Sequence, residues 1–256
     1  MKKSLLIILV ALFSFGWLNA LEMSLDQINN EAIQAYQNKD YDTALEKFLI
    51  VDNNGIINAN LYYNIANCYF RQGSLGLSIL YYEKCLKMKP DHAAARKNRD
   101  FALTLTRDKI DQEEPSALEK LLTKLYNSFD LNSVALLDII LFALLILLLI
   151  IMNTLFRQRD KSLPVFLIFL VLILLTCSAT VSYLKYTSFH DTKDAVIIAA
   201  TAIGYSGPGE EYTRVFTIHE GMTCRVEDAN DNWLLIKLPN GIGGWVEENL
   251  LQRVTF

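Results

Sequence analysis

The chain has 256 residues, 52% of them hydrophobic, and a formal net charge of −4. Its length allows one or two globular domains, yet so apolar a composition is high for a wholly soluble protein. Residues 21–132 carry 13 basic and 16 acidic side chains and residues 185–256 carry 6 and 10, with no basic run, which excludes nucleic-acid binding by phosphate neutralisation.

Three apolar blocks hold much of the hydrophobic excess: Leu5–Leu18, Val134–Leu155 and Leu163–Leu184. The first follows Met1-Lys2-Lys3 and ends Leu18-Asn19-Ala20. A short positive stretch, an apolar core too short to span a bilayer and a small terminal residue predict a secretory signal peptide over residues 1–20. An uncleaved anchor helix is the alternative and leaves the downstream orientation unchanged.

From Leu25 the chain repeats itself at a spacing of 34 residues, with Ala32, Ala44, Phe48 and Val51 falling on Ala66, Ser78, Tyr82 and Cys85. That period is the length of one antiparallel helix pair, which buries its apolar face only by stacking on a neighbour. In the second unit Tyr62 stands at a bulky position, Ala66 and Ser78 where two helices cross, Gly73 in the turn and Pro90 at the end. Units 25–58 and 59–92 thus resemble the tetratricopeptide repeat (TPR), with a capping helix from Ala93 and a domain spanning residues 21–130. The first unit departs from the pattern at Lys39, where glycine is usual, and at Ile56, where proline is usual. The resemblance implies an α-helical solenoid with a peptide-binding groove on its first helices. By that register the groove is lined by Asn29, Ile33, Tyr36 and Gln37, then Tyr63, Asn67, Phe70 and Arg71, then Lys97 and Phe101. Aromatic rings with amides and two cations suit an extended or helical peptide. Of the five positions with which one TPR subclass clamps a C-terminal carboxylate, only Asn64 matches; Asn29, Ile33, Ala94 and Asn98 stand at the others.

Leu118–Phe129 reads as an amphipathic helix leading to the membrane. Residues 134–155 and 163–184 are each 22 residues long, and at ~1.5 Å per residue each reaches about 33 Å, enough to cross a bilayer. Asp138, one turn inside the first, is read as interfacial. The link between them, residues 156–162, contains Arg157, Arg159 and Lys161 and is short enough to force a two-helix transmembrane hairpin. The positive-inside rule places that link in the cytoplasm and both polar segments on the far side.

From Asp194 short β-branched runs alternate with turn residues, predicting an all-β domain over residues 193–256. Ser206-Gly-Pro, His219-Glu-Gly, Trp233, Leu238-Pro-Asn-Gly and Gly244-Trp-Val resemble the bacterial SH3-like (SH3b) barrel. Asn240-Gly241 suits a tight hairpin. Ala202-Ile-Gly-Tyr205 departs from the Asn-Val-Arg of many such domains. Trp233 and Trp245 are read first as half-buried supports of the barrel.

Cys68, Cys85, Cys177 and Cys224 form no metal-binding spacing. Cys68 and Cys85 could pair across one hairpin in an oxidising compartment; the better reading is small buried residues. His92, His190 and His219 lie beside no nucleophile pattern and no phosphate loop is present, so no catalytic, cofactor or metal residues are assigned and an enzyme is not expected.

The order signal peptide, two TPR units, transmembrane hairpin and one SH3b domain resembles the BatE family of the aerotolerance (Bat) operons. That resemblance implies an inner-membrane scaffold with both domains in the periplasm, working beside von Willebrand A-domain membrane proteins and a MoxR-type ATPase. Membrane lipid is a further implied partner. The alternative expectation is a cell-wall protein whose SH3b domain binds or senses peptidoglycan.

Overall fold

A computed structural model describes residues 24–109, 116–156 and 160–256. The predicted signal segment and Arg157, Gln158 and Arg159 of the basic link lie outside the described residues. The described architecture is a helical array, two long apolar helices and a C-terminal antiparallel sheet.

Five helices build the array: α1 (24–37), α2 (Tyr41–Asn53), α3 (Ala59–Arg71), α4 (Leu75–Met88) and α5 (Ala93–Leu105). The 34-residue period is written into the backbone hydrogen bonds. Asn38, Lys39 and Asp40 donate to Gln34, Tyr36 and Ala35, and 34 residues on Gln72, Gly73 and Ser74 donate to Cys68, Phe70 and Tyr69. Lys39 adopts φ +65°, matching the φ +83° of Gly73, so the first unit makes the same left-handed turn with a residue less suited to it. Ala32, Ala66 and Ser78 are fully buried where helices cross, and Phe48 and Tyr82 fill the core beside them. Cys68 and Cys85 are free thiols in the same core, where burial pushes both up to about 12.

α4 is buried on nearly every side, from Gly76 through Leu86. Its first two turns, Leu75–Tyr82, carry no charge, as suits a helix packed inside a structure. One side of α4 packs on α3, and the other receives the β domain.

That domain is a seven-stranded antiparallel sheet in the order β3-β2-β6-β5-β4-β1-β7. Its strands are β1 (Asp194–Ile197), β2 (Thr201–Tyr205), β3 (Arg214–His219), β4 (Thr223–Asn230), β5 (Trp233–Lys237), β6 (Gly243–Glu247) and β7 (Leu251–Arg253). Leu234 and Ile236 on β5 and Val246 on β6 point into one core with Ile197 and Val226. β2 is a strand where the sequence reading saw only a departure from the family pattern. It is held by the Phe216 ring, which occupies the space beside Gly204 and Gly244 that side chains there would need. The hairpin expected at Asn240-Gly241 joins β5 to β6 through the three residues 239–241, closed by the Leu238 N–H on the Ile242 carbonyl at 2.8 Å. Only Gly241 takes positive φ (+85°), while the Asn240 side chain accepts the Ile242 N–H at 3.1 Å.

The His219-Glu220-Gly221 turn between β3 and β4 is the docking turn onto the helical array. Ser74, at the start of α4, makes no side-chain cap, and the Glu220 carboxylate accepts the Gly76 N–H at 3.2 Å in its place. Asp108, just after α5, accepts the backbone N–H of His219 and lies 2.9 Å from its Nδ1. Gly221 (φ +86°) leaves no room for a side chain against Thr106 and Ile79. At the other end of α4, Lys87 Nζ donates to the carbonyls of Asp191 and Val254. The C-terminal Phe256 ring stacks between Tyr62 and Phe189, at 5.8 and 5.2 Å. Val196 and Val254 join the core of the array.

α6 (Ala117–Asn127) opens with a reciprocal cap between Ser116 and Glu119 and precedes two helices long and apolar enough to cross a membrane. These are α7 (Leu131–Thr154, 24 residues) and α8 (Ser162–His190, 29 residues). α8 therefore runs six residues past Leu184, where the apolar block ends. Its buried residues, Pro164, Val171, Ser178 and Lys185, fall every seventh position, the spacing of a left-handed two-helix seam. Asp138 sits at that seam and accepts a hydrogen bond from Ser182 Oγ at 2.5 Å.

Candidate peptide-binding groove

The first helices of the array bring together a cavity of about 490 Å³ lined by Tyr36, Tyr63, Asn64, Asn67, Phe70, Arg71, Tyr82, Asn98 and Phe101. Six of the residues anticipated for the groove meet here: Tyr36, Tyr63, Asn67, Phe70, Arg71 and Phe101. Asn29, Ile33 and Lys97 do not line it. Ile33 packs against the array core, and Lys97 faces a separate cleft beside α6 with Lys120 and Lys124. Gln37 is exposed outside the cavity. Asn64, Tyr82 and Asn98 complete the lining. Tyr82 reaches in from α4, a second helix, which a register confined to first helices does not consider.

The floor is a polar network across three helices. Asn67 Oδ1 accepts the Tyr82 hydroxyl at 2.6 Å and the Asn98 amide at 3.0 Å, and Asn98 also lies 3.3 Å from the Tyr63 hydroxyl. Burial raises the Tyr82 phenol to about 12, so it stays a neutral donor. Both lone-pair directions of Asn67 Oδ1 are thereby used, and its own amide hydrogens have no partner among the described residues. The Asn67 amide hydrogens can thus donate to a carbonyl of a peptide backbone.

At one end Arg71 stands 5.9 Å from the centre of the Tyr41 ring, and the adjacent Tyr36 hydroxyl raises its guanidinium further above the ordinary arginine range. Tyr36 and Tyr41 contact each other edge to face at 5.2 Å, which holds this corner in place. At the other end Phe70 and Phe101 lie 5.9 Å apart, and Phe101 is 56% exposed, an apolar seat open to solvent. The groove thus offers a cation, a free amide donor and an aromatic seat. Among the described residues no cluster of three or more His, Cys, Asp or Glu stands close enough to hold a metal ion.

Residues 59–92 match the family model of the tetratricopeptide repeat, and residues 199–252 match that of the bacterial SH3 domain. The architecture is TPR plus SH3b. The TPR match covers α3 and α4 and stops short of residues 25–58, the unit with Lys39 and Ile56 at its turn positions. No curated protein matches the chain.

On the SH3b domain Trp233, Leu235 and Trp245 are half-buried on the face of the sheet opposite the Leu234–Ile236 core. Leu235 and Trp245 are paired across β5 and β6, and Tyr205 meets Trp233 edge to face at 5.6 Å. The strands that carry these residues lie away from β1, which contacts α4.

Proposed function

We propose that the protein is a membrane-anchored protein–protein interaction scaffold, not an enzyme, with its TPR region and SH3b domain facing the periplasm. In this reading α7 and α8 cross the inner membrane as a hairpin and the basic link lies in the cytoplasm. Membership of a Bat-type complex, with von Willebrand A-domain membrane proteins and a MoxR-type ATPase as neighbours, follows the domain order. The observation that carries the proposal is the groove. Among the described residues, none of its lining side chains takes part in the hydrogen bonds or ring contacts that dock the SH3b domain, which supports a groove left open to a partner segment. An acidic side chain on Arg71 and an apolar one on Phe70 and Phe101 describe the segment that fits.

A photo-reactive amino acid at Phe101 in cells is expected to crosslink a von Willebrand A-domain membrane protein, and Arg71→Glu is expected to cut the yield about tenfold or more, since hydrogen bonds to a charged group contribute about 1.5–3 kcal/mol. Charge reversal at Lys97 should leave it unchanged. Crosslinking at Phe101 no stronger than at exposed Glu46 on α2 would refute the groove as the partner site.

The outer Trp233–Trp245 face supports a second reading, in which SH3b binds peptidoglycan. Failure of the full-length protein to sediment with purified sacculi would remove it.

A further inference from the structure

Where the two membrane-length helices meet the TPR region, a cleft of about 460 Å³ opens between α4, α5, α6, α8 and the start of α7. Four cations line it: Lys87, Arg96, Arg99 and Lys185. Arg99 is neutralised by Glu83 at 3.2 Å and Asp100 at 2.7 Å. The other three bind only neutral oxygens. Lys87 is held by the carbonyls of Asp191 and Val254, Arg96 by that of Pro90, and Lys185 Nζ by that of Tyr126 at 2.6 Å. The Lys185 ammonium also lies 3.8 Å from the centre of the Tyr126 ring, with the residue only 6% exposed. Among the described residues none of the three forms an ion pair. One carboxylate, Asp130, lines the same cleft, and its Oδ1 caps α7 by accepting the Ser133 N–H at 3.1 Å. Asp191 and Asp194 act on Lys87, and Asp130 on Lys185, without pairing with them, and Asp191 and Asp194 are paired with Arg225 instead. Partly buried cations that lack a bonded counter-ion are costly unless an anion completes them.

The depth of the cleft indicates which anion. Lys185 is the first charged residue after the 22-residue apolar block of α8, so on the membrane-spanning reading it stands at headgroup level. Leu86, Met88, Leu131 and Phe189 give the cleft apolar walls beside its cations. α6, which leads into α7, leaves Leu118, Leu121, Leu122 and Leu125 exposed, with Phe129 exposed just beyond it, as a helix lying in the bilayer interface does. We propose that this cleft binds the headgroup of an anionic phospholipid, its phosphate against Lys87, Arg96 and Lys185 and its acyl chains along the exposed surface of α7 and α8. The proposal rests on the reading in which those helices cross the membrane.

Native mass spectrometry of the detergent-solubilised full chain, offered equal phosphatidylglycerol and phosphatidylcholine, tests it. Retention of phosphatidylglycerol is expected to exceed that of phosphatidylcholine about tenfold, and the Arg96→Gln, Lys185→Gln double variant should lose most of that preference. Equal retention of the two lipids by the unaltered protein would overturn the site, with no variant needed. Displacement of phosphatidylglycerol by millimolar inorganic phosphate would also overturn it, by showing that a soluble anion is the ligand. Carbonate extraction of cell membranes separates the two readings. A protein that resists extraction but shows no lipid preference refutes only the cleft, whereas an extractable protein refutes the membrane crossing and the cleft with it.

Discussion

Gly76→Ala is expected to destabilise the protein by about 2 kcal/mol, through overpacking at a site with no room to give. A Cβ on Gly76 would sit 2.7 Å from the carbonyl oxygen of Ile197 and 3.1 Å from the Ile198 Cα, both backbone atoms of the SH3b domain. The sign is what makes the variant informative. In an undocked helix the same change would stabilise by roughly 0.5–1 kcal/mol, because alanine is the better helix former. The measurement is thermal unfolding of the solubilised chain followed by tryptophan fluorescence. Trp233 and Trp245 report the SH3b domain, and residues 24–109 contain no tryptophan. Unaltered protein should show the fluorescence transition together with loss of TPR helical signal. Gly76→Ala should lower and separate the two. A raised midpoint would mean that α4 and β1 are not in contact.

Lys87→Met should cost a comparable amount, about 2 kcal/mol, because hydrogen bonds from a charged donor contribute about 1.5–3 kcal/mol. Methionine keeps the packing of the stem and removes only the donor. The two carbonyls Lys87 holds belong to Asp191, where α8 hands over to the sheet, and Val254, at its end. One side chain therefore fixes both ends of the SH3b domain to α4. Released from it, the tail that places Phe256 against Tyr62 and Phe189 should become the first site of proteolysis. A variant as protease-resistant and as stable as the parent would show that Lys87 contributes nothing to docking.

Local signals made the separate pieces legible. The 34-residue period locates both helix pairs because the same small residues recur at the same crossings, and the apolar blocks stand out because few charges interrupt them. Six groove residues followed from register alone. Three others lie outside that register: Tyr82 enters from a second helix, Asn98 joins the network around Asn67, and Asn64 lines the cavity beside Tyr63. Lys97 was misplaced because α5 turns that position toward α6. The docking of the two domains depends on contacts more than 100 residues apart, such as Gly76 with Glu220 and Asp108 with His219, which no local pattern encodes. One trace of it was present. Leu75–Tyr82 carries no charge over two helical turns, more uncharged surface than a single partner helix can cover. Phe216 over Gly204 and Gly244 similarly explains a strand that propensity does not favour.

The central claim is that TPR region and SH3b domain form one docked body on one side of the membrane, and a disulfide tests it directly. A Cβ built on Gly221 lies 3.7 Å from the Thr106 Cβ, near the ideal separation of bonded cysteines; replacing Thr106 removes the methyl at 2.5 Å, and Ile79→Val removes the Cδ1 at 2.8 Å. In cells, Thr106→Cys with Gly221→Cys, in an Ile79→Val, Cys224→Ala background that alone retains the parent's protease resistance, should crosslink spontaneously and be recovered as one linked peptide. A Glu46→Cys, Gly221→Cys control should not. Two free, reactive thiols in the Thr106–Gly221 pair would contradict the account.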